Sequence, residues 1–296
     1  GERPYDVLIA SDGVNSVIRD TLVQQDPAFK FASAPLNGTQ KILHLKMPSS
    51  LDPSAVHAMS GSVELPSGAK QRVGFFWVPE RNRTTGGRQG CVLVNWGESE
   101  EDGSLMKATD AGQVRDLLNG AFPALNGEVT LEAAQQFIDQ TPSMNTVTKC
   151  STYHNAEGRI VLLGDAAHSS GGASGQGCNA ALQDAQVLDG ILGEVGGDLD
   201  AALPLFSERR VPEGHALLDL SINQGPKGPV LRLLFLGLSA FETLGHRLFP
   251  KAVLPPTQNL LTQTDWDFSV IYGRKRRLLD FVKKSNRKYG VFTGYD

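Results

Sequence analysis

Two stretches of this chain pass abruptly from unbroken apolar residues into glycine-rich turns, and each predicts a strand, a turn and then a helix. In Tyr5-Asp-Val-Leu-Ile-Ala-Ser-Asp-Gly-Val-Asn-Ser-Val-Ile-Arg19, Val7 to Ala10 predict the strand and Asp12-Gly13 the turn. The residues carrying Ser16 and Arg19 predict a short helix. The second stretch begins Arg159-Ile-Val-Leu-Leu-Gly-Asp-Ala-Ala-His168 and continues through Gly171-Gly-Ala-Ser-Gly-Gln-Gly-Cys-Asn179 into Ala180-Ala-Leu-Gln-Asp184. Ile160 to Leu163 are continuously apolar, as a strand covered on both faces requires, and Gly164 allows a sharp turn at its carboxyl end. A helix then opens at Asn179 and Ala180.

Between these stretches the pattern becomes strand-rich. Lys41 to Lys46, Gln71 to Val78 and Gly90 to Trp96 carry β-branched and aromatic residues separated by polar loops, which predicts an antiparallel sheet. Ala111 to Phe122 and Leu131 to Phe137 predict helices lying on it. Farther on, Phe206 to Asn223 reads as a helix with Ala216, Leu217 and Leu220 on an apolar face and His215, Asp219 and Asn223 among its polar positions. Val230 to Phe241 is strongly apolar but carries Arg232 and falls short of the roughly 20 residues needed to cross a bilayer. It predicts a buried or surface-lying helix. The end is basic, with Arg274 to Arg277, Lys283-Lys284 and Arg287-Lys288 forming either a solvated face or a contact for an anionic membrane surface or acidic partner.

Composition narrows the classes. With 296 residues, 40% of them hydrophobic and 20% charged, the chain can bury a sizeable core and is not disordered by composition. A net charge of −4 supplies no broad basic field, so nucleic acid is not expected as a partner. Cys91, Cys150 and Cys178 form no Cys-x-x-Cys and are odd in number, so neither a disulfide framework nor a zinc site is expected, and a reducing compartment fits. The histidines lack metal-ligand spacing, and His168 is expected to brace its loop rather than act as ligand or base.

The chemistry concentrates in the second stretch. Asp165 follows the carboxyl end of a strand, where α/β proteins bind ligands, and its carboxylate can accept hydrogen bonds from sugar-like hydroxyls. Gly175 and Gly177 remove side chains that would keep a ligand from the backbone. The helix behind them offers free N–H groups and a positive end to negative charge. A phosphorylated or anionic cofactor is the expected ligand.

The Gly-Asp-Ala-Ala-His, Gly-Gln-Gly, Asn and Asp-Ala series resembles the GD motif of the FAD-dependent aromatic hydroxylases, the flavoprotein monooxygenases. The amino-terminal stretch resembles the DG motif of the same family. The resemblance implies an α/β fold: a Rossmann-like FAD-binding domain of the p-hydroxybenzoate hydroxylase type, with an inserted antiparallel-sheet substrate domain and a helical carboxyl end. The expected parts are residues 1–30 and 151–225 for FAD, 31–150 for the sheet domain and 226–296 for the helical region. It also implies Gly164 and Asp165 at the ribityl chain of FAD, Gly175, Gly177 and Asn179 at the flavin ring edge, and Asp12, Gly13 and Arg19 near the pyrophosphate and the path of NAD(P)H.

Phe206 to Ala216 further resembles the kynurenine 3-monooxygenase branch. By that resemblance Asn223 approaches the substrate, and Tyr272 matches a carboxylate-binding tyrosine, with a packing role for Tyr272 as the other reading. The implied activity is hydroxylation of a small aromatic substrate, with FAD as cofactor and NAD(P)H as cosubstrate, through a flavin hydroperoxide. No residue of this chain is expected as an obligatory general base.

Two departures qualify the match. The family commonly has proline at the position of Gly172, beside the flavin ring. It also normally opens with a Gly-x-Gly-x-x-Gly unit for the ADP half of FAD, and none occurs among these residues. The expectation is that such an amino-terminal part was removed, lost or is supplied by another polypeptide. A second class of function therefore stands beside the enzyme: a flavoprotein-derived binding or scaffolding subunit of a larger, membrane-associated complex. The expected location is an intracellular, reducing compartment, with contact at an organelle membrane as a further expectation.

Overall fold

The computed structural model describes residues 4–295 apart from 66, 97–103, 106, 126, 156, 158 and 173, with the backbone alone described at 37 and 38. In chain order the elements are β1 (Leu8–Ala10), α1 (Val17–Gln25), β2 (Phe31–Lys46), β3 (His57–Glu64), β4 (Lys70–Arg81), β5 (Arg88–Trp96), α2 (Ala111–Ala121) and α3 (Leu131–Asp139). They continue with β6 (Ser143–Cys150), β7 (His154–Asn155), β8 (Ile160–Leu162), α4 (Asp165–His168), α5 (Gly177–Glu194), α6 (Leu199–Ile222), α7 (Pro229–Leu248), α8 (Thr257–Gln263) and α9 (Phe268–Arg287). The chain divides into two compact units, Gly1–Pro35 with Thr146–Asp296, and Leu36–Asn145.

In the first unit the two sequence-predicted strands are neighbours. β1 pairs with β8 in parallel, Leu8 opposite Ile160 and Ala10 opposite Leu162, and β7 adds an antiparallel strand on the other side of β8. Their apolar residues face helices: Ala10, Val161, Leu162 and Leu163 pack with Leu22 of α1, Leu188 and Ile191 of α5, and Leu203 and Phe206 of α6. A second cluster joins Leu217 and Leu220 of α6 to Leu260 and Leu261 of α8 and Ile271 and Leu279 of α9. That packing ties the carboxyl helices to α6, which also packs on the three-stranded sheet, so residues 226–296 fall within the first unit. Helix α6 starts earlier than the pattern suggests and runs through Pro204 and Pro212.

The second unit is a sheet with helices. β3 pairs antiparallel with β4, β4 with β5 and β5 with β2, in the sheet order β3-β4-β5-β2-β6. Alternation decides its faces: Val73, Phe75 and Trp77 of β4 and Val92, Val94 and Trp96 of β5 are buried, and Val114, Leu118, Ala134 and Phe137 of α2 and α3 close over them. Gly90 is required here, because a Cβ at that position would run into the Trp77 indole. Asp110 and Thr130 cap the two helices by accepting from Gln113 N and Ala133 N.

Among the described residues no helix is long and apolar enough to cross a membrane. Helix α7 is longer than the predicted apolar run and lies on the surface, with none of its residues buried.

Candidate functional site

The sharp turn after β8 is built around a carboxylate that water does not reach. Gly164 takes φ 61°, a conformation that favours glycine, and releases the chain into the single turn α4. Its N–H donates to Asp184 Oδ2 at 2.8 Å, and the same oxygen accepts from His168 Nε2 at 2.7 Å. The other oxygen, Oδ1, accepts from Arg210 Nε at 2.7 Å. Asp184 is fully buried, and His168 and Arg210 nearly so. Burial works against the charge on Asp184, but the hydrogen bond and charge of His168, the Arg210 guanidinium and the Gly164 N–H hold its carboxyl below the usual range. His168 is thus a brace, as its sequence context suggests.

Asp165, next in the chain, is the opposite case. It is exposed, and no hydrogen bond to it occurs among the described residues. It points toward the start of α5, since a Cβ built on Gly177 would lie 3.9 Å from Asp165 Oδ1. Helix α5 runs 18 residues and no side chain caps its amino end, so the first-turn N–H groups keep their unsatisfied, positive character. Gly175 adopts φ 69° with nothing within 4 Å of where a Cβ would be. Asn179 is exposed on the first turn, its Nδ2 donating to Gln176 Oε1 at 2.9 Å. A free carboxylate beside an uncapped helix start suits a group with hydroxyls next to an electron-rich ring edge.

The amino-terminal motif meets this site through Arg19. Its guanidinium is buried, donates from Nη1 to Ala166 O at 3.2 Å within α4, and lies over the Phe31 ring at 4.3 Å. Arg19 therefore couples the two motifs and is enclosed rather than open to a ligand. Asp12 Oδ2 accepts from Val17 N at 2.9 Å and Ile18 N at 3.4 Å, so it caps α1. Although burial opposes it, bonds from the Ser16 hydroxyl and the backbone N–H groups hold the Asp12 carboxyl below its ordinary value. Gly13 takes φ 84° with open space around it, and provides the turn.

Gly172, where the resembled family has proline, adopts φ 77°. Proline is locked near −65°, so this loop follows a path that proline could not take. Gly175 N closes it by donating to Gly172 O at 3.1 Å.

The two candidate substrate residues part company. Asn223 ends α6 and is buried, and it lines a cavity of about 330 Å³ with Leu220, Phe235, Glu242, Thr257 and Leu279 among its walls. Its Oδ1 accepts from Asn286 Nδ2 at 3.3 Å, whereas its own buried Nδ2 has no partner among the described residues. Gln258 Nε2, on the same wall, donates at 3.4 Å to Ser174 O in the glycine-rich loop. Tyr272 is absent from that lining; its hydroxyl donates to Asp280 Oδ1 at 2.7 Å and its ring packs on the α6, α8 and α9 cluster. Burial and that carboxylate push the Tyr272 phenol well above its ordinary range.

Sequence reading missed the Asp184–Arg210 pair. Asp184 and Arg210 stand 26 positions apart and meet only because α6 crosses α5. The available signal was a carboxylate at a helical position otherwise facing the core.

A family model described as FAD binding domain matches residues 5–221. Kynurenine 3-monooxygenase from Sus scrofa is 27% identical over 253 residues, covering 84% of this chain and 50% of that protein. The kynurenine 3-monooxygenase of Flavobacterium johnsoniae is 28% identical over 74% of this chain and 46% of its own length. This chain thus spans about half the length of these curated relatives. Among solved structures, 2-methyl-3-hydroxypyridine-5-carboxylic acid oxygenase superposes with a TM-score of 0.51 at 16% identity, covering 90% of this chain and 62% of that one. PqsL of P. aeruginosa, in complex with 2-aminobenzoylacetate, gives 0.50 at 19% identity over 73% and 53%. At these identities the structures speak for the fold.

Proposed function

This chain belongs to the FAD-binding domain family of FAD-dependent aromatic hydroxylases, and from that premise we propose that it forms the flavin and substrate side of an NAD(P)H-using monooxygenase acting on a small aromatic molecule. The observation that carries the reading is Asp165: an exposed carboxylate without a hydrogen-bond partner among the described residues, beside an uncapped helix start, on a turn braced by Asp184.

Asp165 would accept from ribityl hydroxyls, and the N–H groups at the start of α5 would face the electron-rich edge of the ring. Gly175 and Gly177 leave the backbone open to close approach. FAD, when bound, supplies the redox and oxygen chemistry, and the protein contributes position and electrostatics. The cavity under Asn223 would take the aromatic substrate, its apolar walls excluding water and the unpaired Nδ2 donating to an acceptor on the ring substituent.

The test is the visible spectrum of protein from its native source. Flavin absorbance, bleached by NAD(P)H without oxygen and restored with it, supports the enzyme. A colourless protein isolated in fixed ratio with other chains supports the scaffolding subunit instead.

A further inference from the structure

The outer face of α7 is apolar over nearly its whole length. At about 100° per residue, Val230, Leu233, Leu234, Leu238, Phe241 and Leu244 fall on one broad arc. All are more than half exposed, with Leu233 at 73% and Phe241 at 75%. A contiguous apolar surface of this kind marks an interaction site. The orientation is fixed from inside. Phe235, Ser239 and Glu242 line the Asn223 cavity, Glu242 pairs with Lys275 of α9, and His246 Nδ1 bonds Val253 O at 2.7 Å. Ser239, Glu242 and His246 thus serve to attach α7, and the apolar arc remains outward.

The charges around that arc point to one occupant. Arg232 and Arg247 are exposed and fall together on one flank, near the two ends of the helix, with exposed Lys227 and Lys251 just beyond them. Glu242, the only acidic residue of α7, is turned inward and neutralised. An apolar face edged by cations and free of anions matches the interface of an anionic phospholipid bilayer, where apolar side chains enter the acyl boundary and guanidinium groups reach phosphates. The helix is not apolar enough to cross, which leaves it lying in the surface. We propose that α7 docks this chain onto an anionic membrane surface, with its inner face roofing the cavity under Asn223.

Vesicle sedimentation of the full chain tests this. With vesicles of phosphatidylcholine containing about one-third phosphatidylserine, binding should exceed that to phosphatidylcholine alone by roughly tenfold and fall with added salt. L234E/F241E should abolish it, and R232E/R247E should remove the preference for anionic lipid. In a second readout, F241W emission should shift to the blue on anionic vesicles. Three results would each overturn the proposal: no binding by the unmodified chain, unchanged binding and emission in the variants, or a lipid-free dimer that L234E/F241E dissociates, which would mean a second copy covers α7.

Discussion

Arg210 Nε lies 2.7 Å from Asp184 Oδ1, and the pair is sealed between α5 and α6 directly behind the turn that presents Asp165. The exposed carboxylate is therefore positioned by a different, hidden carboxylate. Removing one partner of a buried ion pair leaves the other uncompensated, which costs about 3–5 kcal/mol. Asp184→Asn should lower the unfolding free energy by about that amount in denaturant titrations. It should also loosen the Gly164 turn, seen as faster amide exchange at Gly164 and His168.

The same carboxylate sets part of the acid response. Its folded-state value is depressed relative to the unfolded chain, so its contribution is fully present above the unfolded value near about 3.9 and is lost as pH falls through the lower folded value. Unfolding measured from neutral pH down to about 2 should show this loss. Asp184→Asn, already less stable at neutral pH, should lose less on acidification.

A separate step comes from His215. Burial keeps its imidazole easier to deprotonate than in the unfolded chain, despite the bond to Cys150 O. The unfolded state therefore takes up the proton first, and stability should decline as pH drops below about 6.5, before any carboxylate titrates. His215→Gln should flatten the stability profile between about pH 6.5 and 5.

Gly214 lets α6 pass closely over α4. A Cβ there would run into the Tyr153 hydroxyl and come 2.8 Å from His168 Cβ. Gly214→Ala should destabilise by about 1–3 kcal/mol, despite the higher helix propensity of alanine. The check is thermal unfolding beside Gly190→Ala, a helical glycine with open space, which should be neutral or stabilising.

What the sequence disclosed follows from the range of the interactions concerned. β4 and β5 announce themselves because Val73, Phe75, Trp77, Val92 and Val94 alternate at the period of a strand, and β1 and β8 because each is a continuous apolar run ending in a glycine-containing turn, although Ile9 of β1 is exposed. β3, His-Ala-Met-Ser-Gly-Ser-Val-Glu, alternates too, but its inward positions carry a histidine and a glycine beside Met59 and Val63, so the signal is weak, and β4 pairs along its whole length. The turn at Gly164 and the helix start behind Gly175 were legible because both are local events. The enclosure of Arg19 and the Asp184–Arg210 pair were not, since both depend on segments distant in the chain. Asn223 was legible as polar on a helical face, whereas its unpaired Nδ2 emerges only with the cavity around it.

In the proposed function Asp165 serves to hold flavin rather than the fold. An FAD titration of the unmodified chain and Asp165→Ala, followed by flavin fluorescence, tests it most directly. The prediction is at least tenfold weaker binding in the variant, the scale of a lost charge-assisted hydrogen bond of about 1.5–3 kcal/mol, with an unfolding free energy unchanged within about 0.5 kcal/mol. Equal affinity in the two proteins, or a variant that loses stability as much as affinity, would contradict it.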